Sequence, residues 1–403
     1  MKSPNRRFPL ALLAAALGGC GGGGSSGESP TTSTVPVSLG SAIPALTATQ
    51  SADFQAGLVA FRTDEDAGDG LGPVFNGTSC VQCHAAGAVG GAGLDLVLTR
   101  VSRIGAYEKG AYSDLPSVGG AVIQRRSLQE FDPKFPVAPE VIPTGTQFVS
   151  HRITTPLFGA GLIEAISADT ILARTKTAQP DGIKGVANMI VNAETGKTEV
   201  GRFGWKSQLA SLRVFAADAY LNEMGITTSI FPVENLPQGK PIPAGADPVA
   251  EPEDNAVEEF VNFMRFLAPP ARVQPTPIGA ERGEEIFRNM RCTSCHVPEM
   301  KTGTNSVTAL SQQAVRLYSD LLLHRMGSGL NDGVQQEMAK GDQWRTAPLW
   351  GLSKRRFFLH DGRANSPMEA VLQHGGEASA ARERFMKLNA QDRKDLKAFF
   401  DSL

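Results

Sequence analysis

Cysteine is scarce in this chain, with five among 403 residues. One stands alone at Cys20 and four form two close pairs, Cys80/Cys83 and Cys292/Cys295. Each has a use described below, so no disulfide framework is available even in an oxidising compartment. Histidine is nearly as rare, with six residues, none between His84 and His151 and none from Arg152 to Met290. An excess of either charge is also missing: the formal net charge is −2 with both signs mixed, which gives no electrostatic reason to bind nucleic acid or an anionic membrane surface. The apolar run from Phe8 to Leu17 is too short to span a bilayer as a permanent helix. What remains is ordinary globular material, 41% apolar and 20% charged, in a chain longer than one typical domain.

The first stretch reads as an export signal. Lys2, Arg6 and Arg7 precede the apolar run, and Leu17-Gly18-Gly19-Cys20 closes it with small residues before a cysteine. This resembles a lipoprotein signal peptide over residues 1–19, with Cys20 lipidated as the new N-terminus. It implies a bacterial cell envelope location, a lipid anchor and a periplasm-facing body. Gly21 rather than aspartate after the cysteine favours the outer membrane. Residues 20–50, rich in Gly, Ser, Thr and Pro, read as a flexible tether.

Two pentads organise the body, Cys80-Val-Gln-Cys83-His84 and Cys292-Thr-Ser-Cys295-His296. Each is C-x-x-C-H, the attachment signal of a c-type haem. Two thiols separated by two residues add to the two vinyl groups of one porphyrin, and the following histidine ligates the iron. Two C-x-x-C pairs also suit a four-cysteine zinc site or redox dithiols. Zinc ribbons do not need a histidine after each second cysteine, however, and the βαβ context of a dithiol is not visible. Two covalently bound haem c groups are the expectation.

The pentads sit in similar surroundings. Gly57-Leu-Val-Ala-Phe61-Arg62 before the first parallels Gly283-Glu-Glu-Ile-Phe287-Arg288 before the second. Pro156-Leu157-Phe158-Gly159 parallels Pro348-Leu349-Trp350-Gly351, each preceded by an arginine (Arg152, Arg345) and followed by a Glu-Ala-aliphatic trio from Glu164 or Glu369. An internal duplication accounts for this. The expected domains are 51–270 and 278–403, separated by a helix from Asn255 that opens with a capping box at Glu258 and stops at Pro269-Pro270. The expected fold class is mainly α: two cytochrome c-like haem domains with long loops and little β structure.

His84 and His296 are proximal by motif, leaving four histidines. His374 ends a short helix capped by Ser366-Pro367-Met-Glu369 and stopped by Gly375-Gly376, and is the best-placed second ligand. His360, in His360-Asp-Gly-Arg363, reads as a group near a haem propionate, and His324 after three leucines as a packed histidine. The first domain has no counterpart of His374; His151 is a candidate there, and Met189, Met224 and Met264 are weaker ones. One saturated haem for electron transfer and one with an open or labile face follow from that asymmetry. Peroxide chemistry at an open face needs a proton carrier, and Glu164, between close glycines and apolar neighbours, is the acid/base expected. Arg152 and Arg345 are expected to hold haem propionates, since guanidinium matches carboxylate in a bidentate way. Trp205, Trp344 and Trp350 are candidates for an electron path between the haems.

Arg345-Thr-Ala-Pro348-Leu-Trp-Gly351, His360-Asp-Gly-Arg363 and the helix at Glu369 together resemble the C-terminal domain of the bacterial di-haem cytochrome c peroxidase superfamily. Gly70-Leu-Gly-Pro-Val-Phe-Asn76, Gly201-Arg-Phe-Gly-Trp-Lys206 and Asn222-Glu-Met-Gly-Ile-Thr227 look closer still to its di-haem oxidoreductase subgroup, also labelled thiol oxidoreductase-like. The resemblance implies a peroxidatic N-terminal haem and a C-terminal haem that relays electrons, with hydrogen peroxide as substrate and a small redox protein or cytochrome as electron donor. It places the sixth ligand of the C-terminal haem on His374, where typical peroxidases of this kind have methionine. Histidine there implies a lower potential. It also implies calcium between the domains, for which no ligands stand out. Two other readings stay open: a non-catalytic di-haem electron-transfer lipoprotein, and a di-haem oxidase of a protein or thiol substrate.

Overall fold

The computed structural model describes residues 37–246 and 253–403. Cys20, the signal peptide and the first part of the tether lie outside the described residues. The end of the tether does not: Ile43 is buried and donates its N–H to Phe266 O at 2.7 Å, so the folded body begins ahead of Ala52.

Two helix pairs carry the duplicated sequence. Ala48–Arg62 starts on a reciprocal Thr47/Gln50 capping box and buries Phe54, Gly57 and Phe61 on one face. It packs on Asp254–Phe266, whose Val257, Phe260, Val261, Phe263 and Met264 are buried. The crossing is at Gly57, where a Cβ would lie 2.2 Å from the Glu259 carbonyl oxygen. Phe263 meets Phe54 at 5.4 Å and Phe61 at 4.7 Å between ring centroids. Each such buried ring is worth roughly 1.5–3 kcal/mol in apolar burial. The capping box expected at Asn255 and Glu258 is absent, because the N-cap is Glu253, two residues earlier, which makes no side-chain cap bond.

The second pair repeats the device. Ala280–Asn289 packs on Ala390–Ser402 with Gly283 at the crossing, where a Cβ would lie 2.0 Å from Asp395 O. Phe287 there packs on Phe399 at 5.3 Å. Gly159 and Gly351, the ends of the second repeated motif, both adopt left-handed φ, 69° and 66°, and each leads into a short helix. One large apolar core gathers around the first pair and a smaller one around the second.

The fold is mixed rather than mainly α. Where long loops and little β structure were expected, the stretch from His84 to just past His151 builds an antiparallel sheet. Arg100–Glu108 is its centre, paired with Ala111–Ser113, Val122–Ile123 and Phe148–Ile153. Its strands carry serine, arginine and glycine among the apolar residues, which hides the two-residue alternation that marks a strand. Successive side chains on a strand point to opposite faces. On Phe148–Ile153 this buries Ser150 and Arg152 and turns Val149 and His151 outward.

Candidate functional site

Each thiol pair opens onto a cavity. The Cys80–Cys83 turn sets both sulfurs and then His84 against a space of about 200 Å³. The Cys292–Ser294 turn does the same with Cys295 and His296 against a space of about 190 Å³. Among the described residues His84 is the only histidine lining the first cavity, whereas His296, His324, His360 and His374 line the second.

Hydrogen bonds separate these histidines by what they have left to offer. His84 Nδ1 lies 3.1 Å from Gly91 O, His296 Nδ1 2.9 Å from Tyr318 O, and His374 Nδ1 2.7 Å from Ala370 O. A ring whose Nδ1–H donates to a carbonyl is the neutral tautomer with Nε2 free, the form a metal takes. Burial supports that form, pushing His84 and His296 down to about 4 and lowering His374. The rings of Phe61 and Phe287 sit at equivalent distances from His84 and His296, 5.9 and 6.1 Å. His374 follows the Pro367–Gln373 helix, capped by Ser366 as its sequence suggests.

The other histidines are spoken for. His324 lies between two carboxylates, Nδ1 2.8 Å from Glu377 and Nε2 3.0 Å from Asp320. His151 accepts or donates at Ser102 Oγ, 2.9 Å away, on the outer face of the sheet, and does not line the first cavity. His360 stacks on Trp344 with ring centroids 3.9 Å apart.

Glu164, the expected proton carrier, lines neither cavity. Its Oε1 accepts the N–H of Leu212 at 2.8 Å and its Oε2 lies 3.6 Å from Arg265 Nε, so it ties helix ends together. The first cavity instead receives Asp218 and Glu223 from the Leu212–Met224 helix. Burial, reinforced by the Asp218 charge, pushes the Glu223 carboxyl up to about 7. Its Oε2 has no hydrogen-bond partner. The sequence signal was present, two acids five apart on a helix otherwise rich in buried apolar residues.

The arginines divide similarly. Arg152 lines the first cavity but its guanidinium is taken by Asp332, 2.7 Å away. Arg345, in the second cavity, bonds only a backbone carbonyl, Gly204 O at 2.8 Å. Arg355 beside it has an Nε without a partner, and no carboxylate lies within ion-pair reach of either among the described residues. Burial pushes both down to about 10. In the first cavity Arg103 Nε is likewise unpartnered.

Trp205 lines both cavities. Its Nε1–H donates to Ile153 O at 2.7 Å, and its ring meets Trp344 edge-on at 6.4 Å. Trp350 lines neither and packs against Gly159.

The family profile described as "Di-haem oxidoreductase, putative peroxidase" matches residues 145–403. The chain belongs to this family. Among solved structures it is similar to hydrazine synthase of Kuenenia stuttgartiensis, at 13% identity and TM-score 0.40, covering 94% of this chain and 98% of that one. It is similar to a MauG-like protein associated with microbial copper homeostasis, at 15% identity and TM-score 0.41, covering 92% and 94%. The diheme peroxidase of Burkholderia thailandensis follows at 13% identity and TM-score 0.39, covering 87% and 86%. No curated protein sequence matches.

Di-haem oxidoreductases carry two haems, and the family implies a peroxide substrate and a redox partner. The residues here fit that cofactor. Each cavity joins two thiols to an imidazole with Nε2 free; the second adds two buried guanidinium groups without a carboxylate partner and the first the half-buried Arg103, which suits a metalloporphyrin with propionates. Among the described residues no group of three or more His, Cys, Asp or Glu side chains is placed to hold a further metal ion such as calcium. None of the described helices is long and apolar enough to cross a membrane.

Proposed function

We propose that this di-haem oxidoreductase reduces hydrogen peroxide at its first cavity, with electrons relayed from a small redox protein or cytochrome through its second. Haem c bound through Cys80, Cys83 and His84 supplies the redox chemistry, and haem c bound through Cys292, Cys295, His296 and His374 supplies the relay. The first haem domain begins ahead of Ala52 and runs to residue 270, the second spans 278–403, and a lipid on Cys20 holds the body in the periplasm, at the outer membrane.

The observation that carries this reading is the difference in histidines. Two imidazoles with Nε2 free line the second cavity, His296 and His374, and one lines the first. The remaining wall of the first cavity holds the carboxyls of Asp218 and Glu223, which are groups that move or hold protons, beside the amide of Gln208. Reduction of hydrogen peroxide to two waters takes up two electrons and two protons. Glu223, poised near neutrality by burial, takes a proton from one peroxide oxygen and returns it to the other. Asp218 keeps its neighbour's charge unfavourable and so keeps that proton exchangeable. Arg345 and Arg355 would hold the propionates of a haem in the second cavity, and Arg103 those of a haem in the first. Trp205, shared by both walls, carries electrons between them.

Met264 also lines the first cavity. This favours a second reading, in which its thioether saturates the first centre and the protein only passes electrons. Low-temperature EPR with optical spectra of the holoprotein, before and after one equivalent of peroxide, separates the two. A high-spin ferric signal that changes with peroxide supports the peroxidase. Two low-spin signals in every redox state, with no reaction, would leave an electron-transfer protein.

A further inference from the structure

A pocket of about 450 Å³ opens at the surface between the sheet and the segment around Asp332. Its walls include Arg100, Phe148, His151, Asp332, His360 and Asp361. His360 lines both this pocket and the second cavity, so the imidazole is the partition between them. Behind it lies Trp344 at 3.9 Å, stacked within 13° of parallel, and behind that Trp205 at 6.4 Å. Aromatic rings in contact therefore run from an open polar pocket to the residue shared by both cavities.

Among the described residues, Arg100 is the cation of this pocket that has no carboxylate partner. Asp332 is paired with Arg152 at 2.7 Å and Lys206 at 3.6 Å, and Asp361 with Arg363 at 2.6 Å. Arg100 bonds only the backbone oxygen of Asp361, at 2.6 Å, and its Nε has no partner. A guanidinium in this state selects a carboxylate. Phe148, opposite Gly105 in the strand register and so five residues along the sheet from Arg100, gives the far end of the pocket an apolar wall.

We propose that this pocket binds a small phenol bearing a carboxylate and oxidises it by one electron, with Arg100 holding the carboxylate, His360 accepting the phenolic proton, and Trp344 and Trp205 conducting the electron toward the first cavity. It rests on the peroxide-reducing reading above, for which it names a small-molecule donor. Two phenols each lose one electron and one proton to become phenoxyl radicals. The two electrons and two protons convert one hydrogen peroxide to two waters. The protons pass from His360 through the open pocket to solvent, and the first cavity takes up its own through Glu223. Burial holds His360 below its ordinary value, so the ring is a neutral acceptor at pH 7. The Lys206 ammonium lies 3.9 Å from the Trp344 ring centroid and the Arg152 guanidinium 5.1 Å away. These cations disfavour a resting hole on that indole. Trp344 thus transmits the electron and does not store the oxidising equivalent.

The test uses the holoprotein with 4-hydroxyphenylacetate and its neutral analogue 4-methylphenol. Calorimetric titration without peroxide reads binding alone. Arg100→Met is expected to weaken the acid's Kd at least tenfold and to change that of 4-methylphenol less than twofold; equal effects on both, or no binding of either, would overturn the site. With peroxide present, fluorescent phenol dimer reports phenoxyl formation. Trp344→Phe is expected to slow it at least tenfold with Kd of the acid within twofold, and His360→Gln is a second variant expected to slow it likewise. Unchanged rates in both overturn the route. Reduced holoprotein freed of reductant and mixed with peroxide reads the peroxide step by itself. Reoxidation without phenol oxidation sinks this inference and leaves the peroxide reading standing, whereas no reoxidation sinks both.

Discussion

Around each thiol pair the chain repeats one arrangement. A helix crosses its partner at a glycine, a phenylalanine lies near 6 Å from the histidine ring, and the histidine Nδ1 is tied to a backbone oxygen. Elsewhere on the cavity walls the two regions part. The second adds His374 and two buried arginines without anions; the first adds Asp218 and Glu223. On the function proposed above, the common half would hold a haem and the divergent half would set what that haem does. A duplicated fold can keep its attachment geometry and still separate electron storage from proton chemistry, because the latter depends on a few wall residues outside the repeated motif.

The sharpest break of the comparison is removal of one attachment pair. Cys80→Ser with Cys83→Ser, and separately Cys292→Ser with Cys295→Ser, should each halve the haem stain of the denatured protein. If either pair leaves the stain untouched, that pair does not form thioether bonds and the symmetry between the two regions is lost.

Next in size is the effect of Glu223→Gln on peroxide reduction, expected to cost roughly 10²- to 10³-fold, within the range of a positioned acid/base. The carboxyl is pushed up to about 7, and the first step removes a proton from peroxide, so the ionised form is the active one. The wild-type rate should rise as pH passes through about 7, and that limb should vanish in the variant. A pH profile with the same limb in both would assign the proton to another group.

His374→Ala tests the second region alone. It should turn a low-spin signal into a high-spin one at that centre, while the first centre's reaction with peroxide in the fully reduced protein stays intact. Loss of the peroxide step would mean that the two cavities had been given the wrong roles.

Much of this division is legible in the sequence, and what escapes has a physical cause. The pentads, the paired glycine and phenylalanine positions and His374 are local signals, each written within a short helix or turn. Arg152 and Arg345 read alike in the sequence, as propionate partners; that Arg152 is already committed was not legible, because its partner Asp332 lies far along the chain. His151 offered itself as a ligand by scarcity alone; strand alternation sends Arg152 inward and His151 outward, and the strand was itself hidden by polar residues. The raised value of the Glu223 carboxyl depends on burial within the fold, which spacing does not record.

Glu164 provides the smallest effect and the closest contrast with Glu223. Both are glutamates on helices of the first region, but Glu164 has a backbone N–H at 2.8 Å and Arg265 at 3.6 Å, whereas one oxygen of Glu223 has no partner. A carboxylate already bonded to a helix N-terminus stabilises that helix and has little freedom to move a proton. Glu164→Gln should therefore leave peroxide turnover within twofold, and Glu164→Ala should lower stability by roughly 1–2 kcal/mol through the lost acceptor for Leu212 N–H. Denaturant unfolding and peroxide consumption measured on the same samples distinguish the roles. A large loss of turnover at unchanged stability would move the proton carrier from Glu223 to Glu164, and with it the assignment of the wall that faces peroxide.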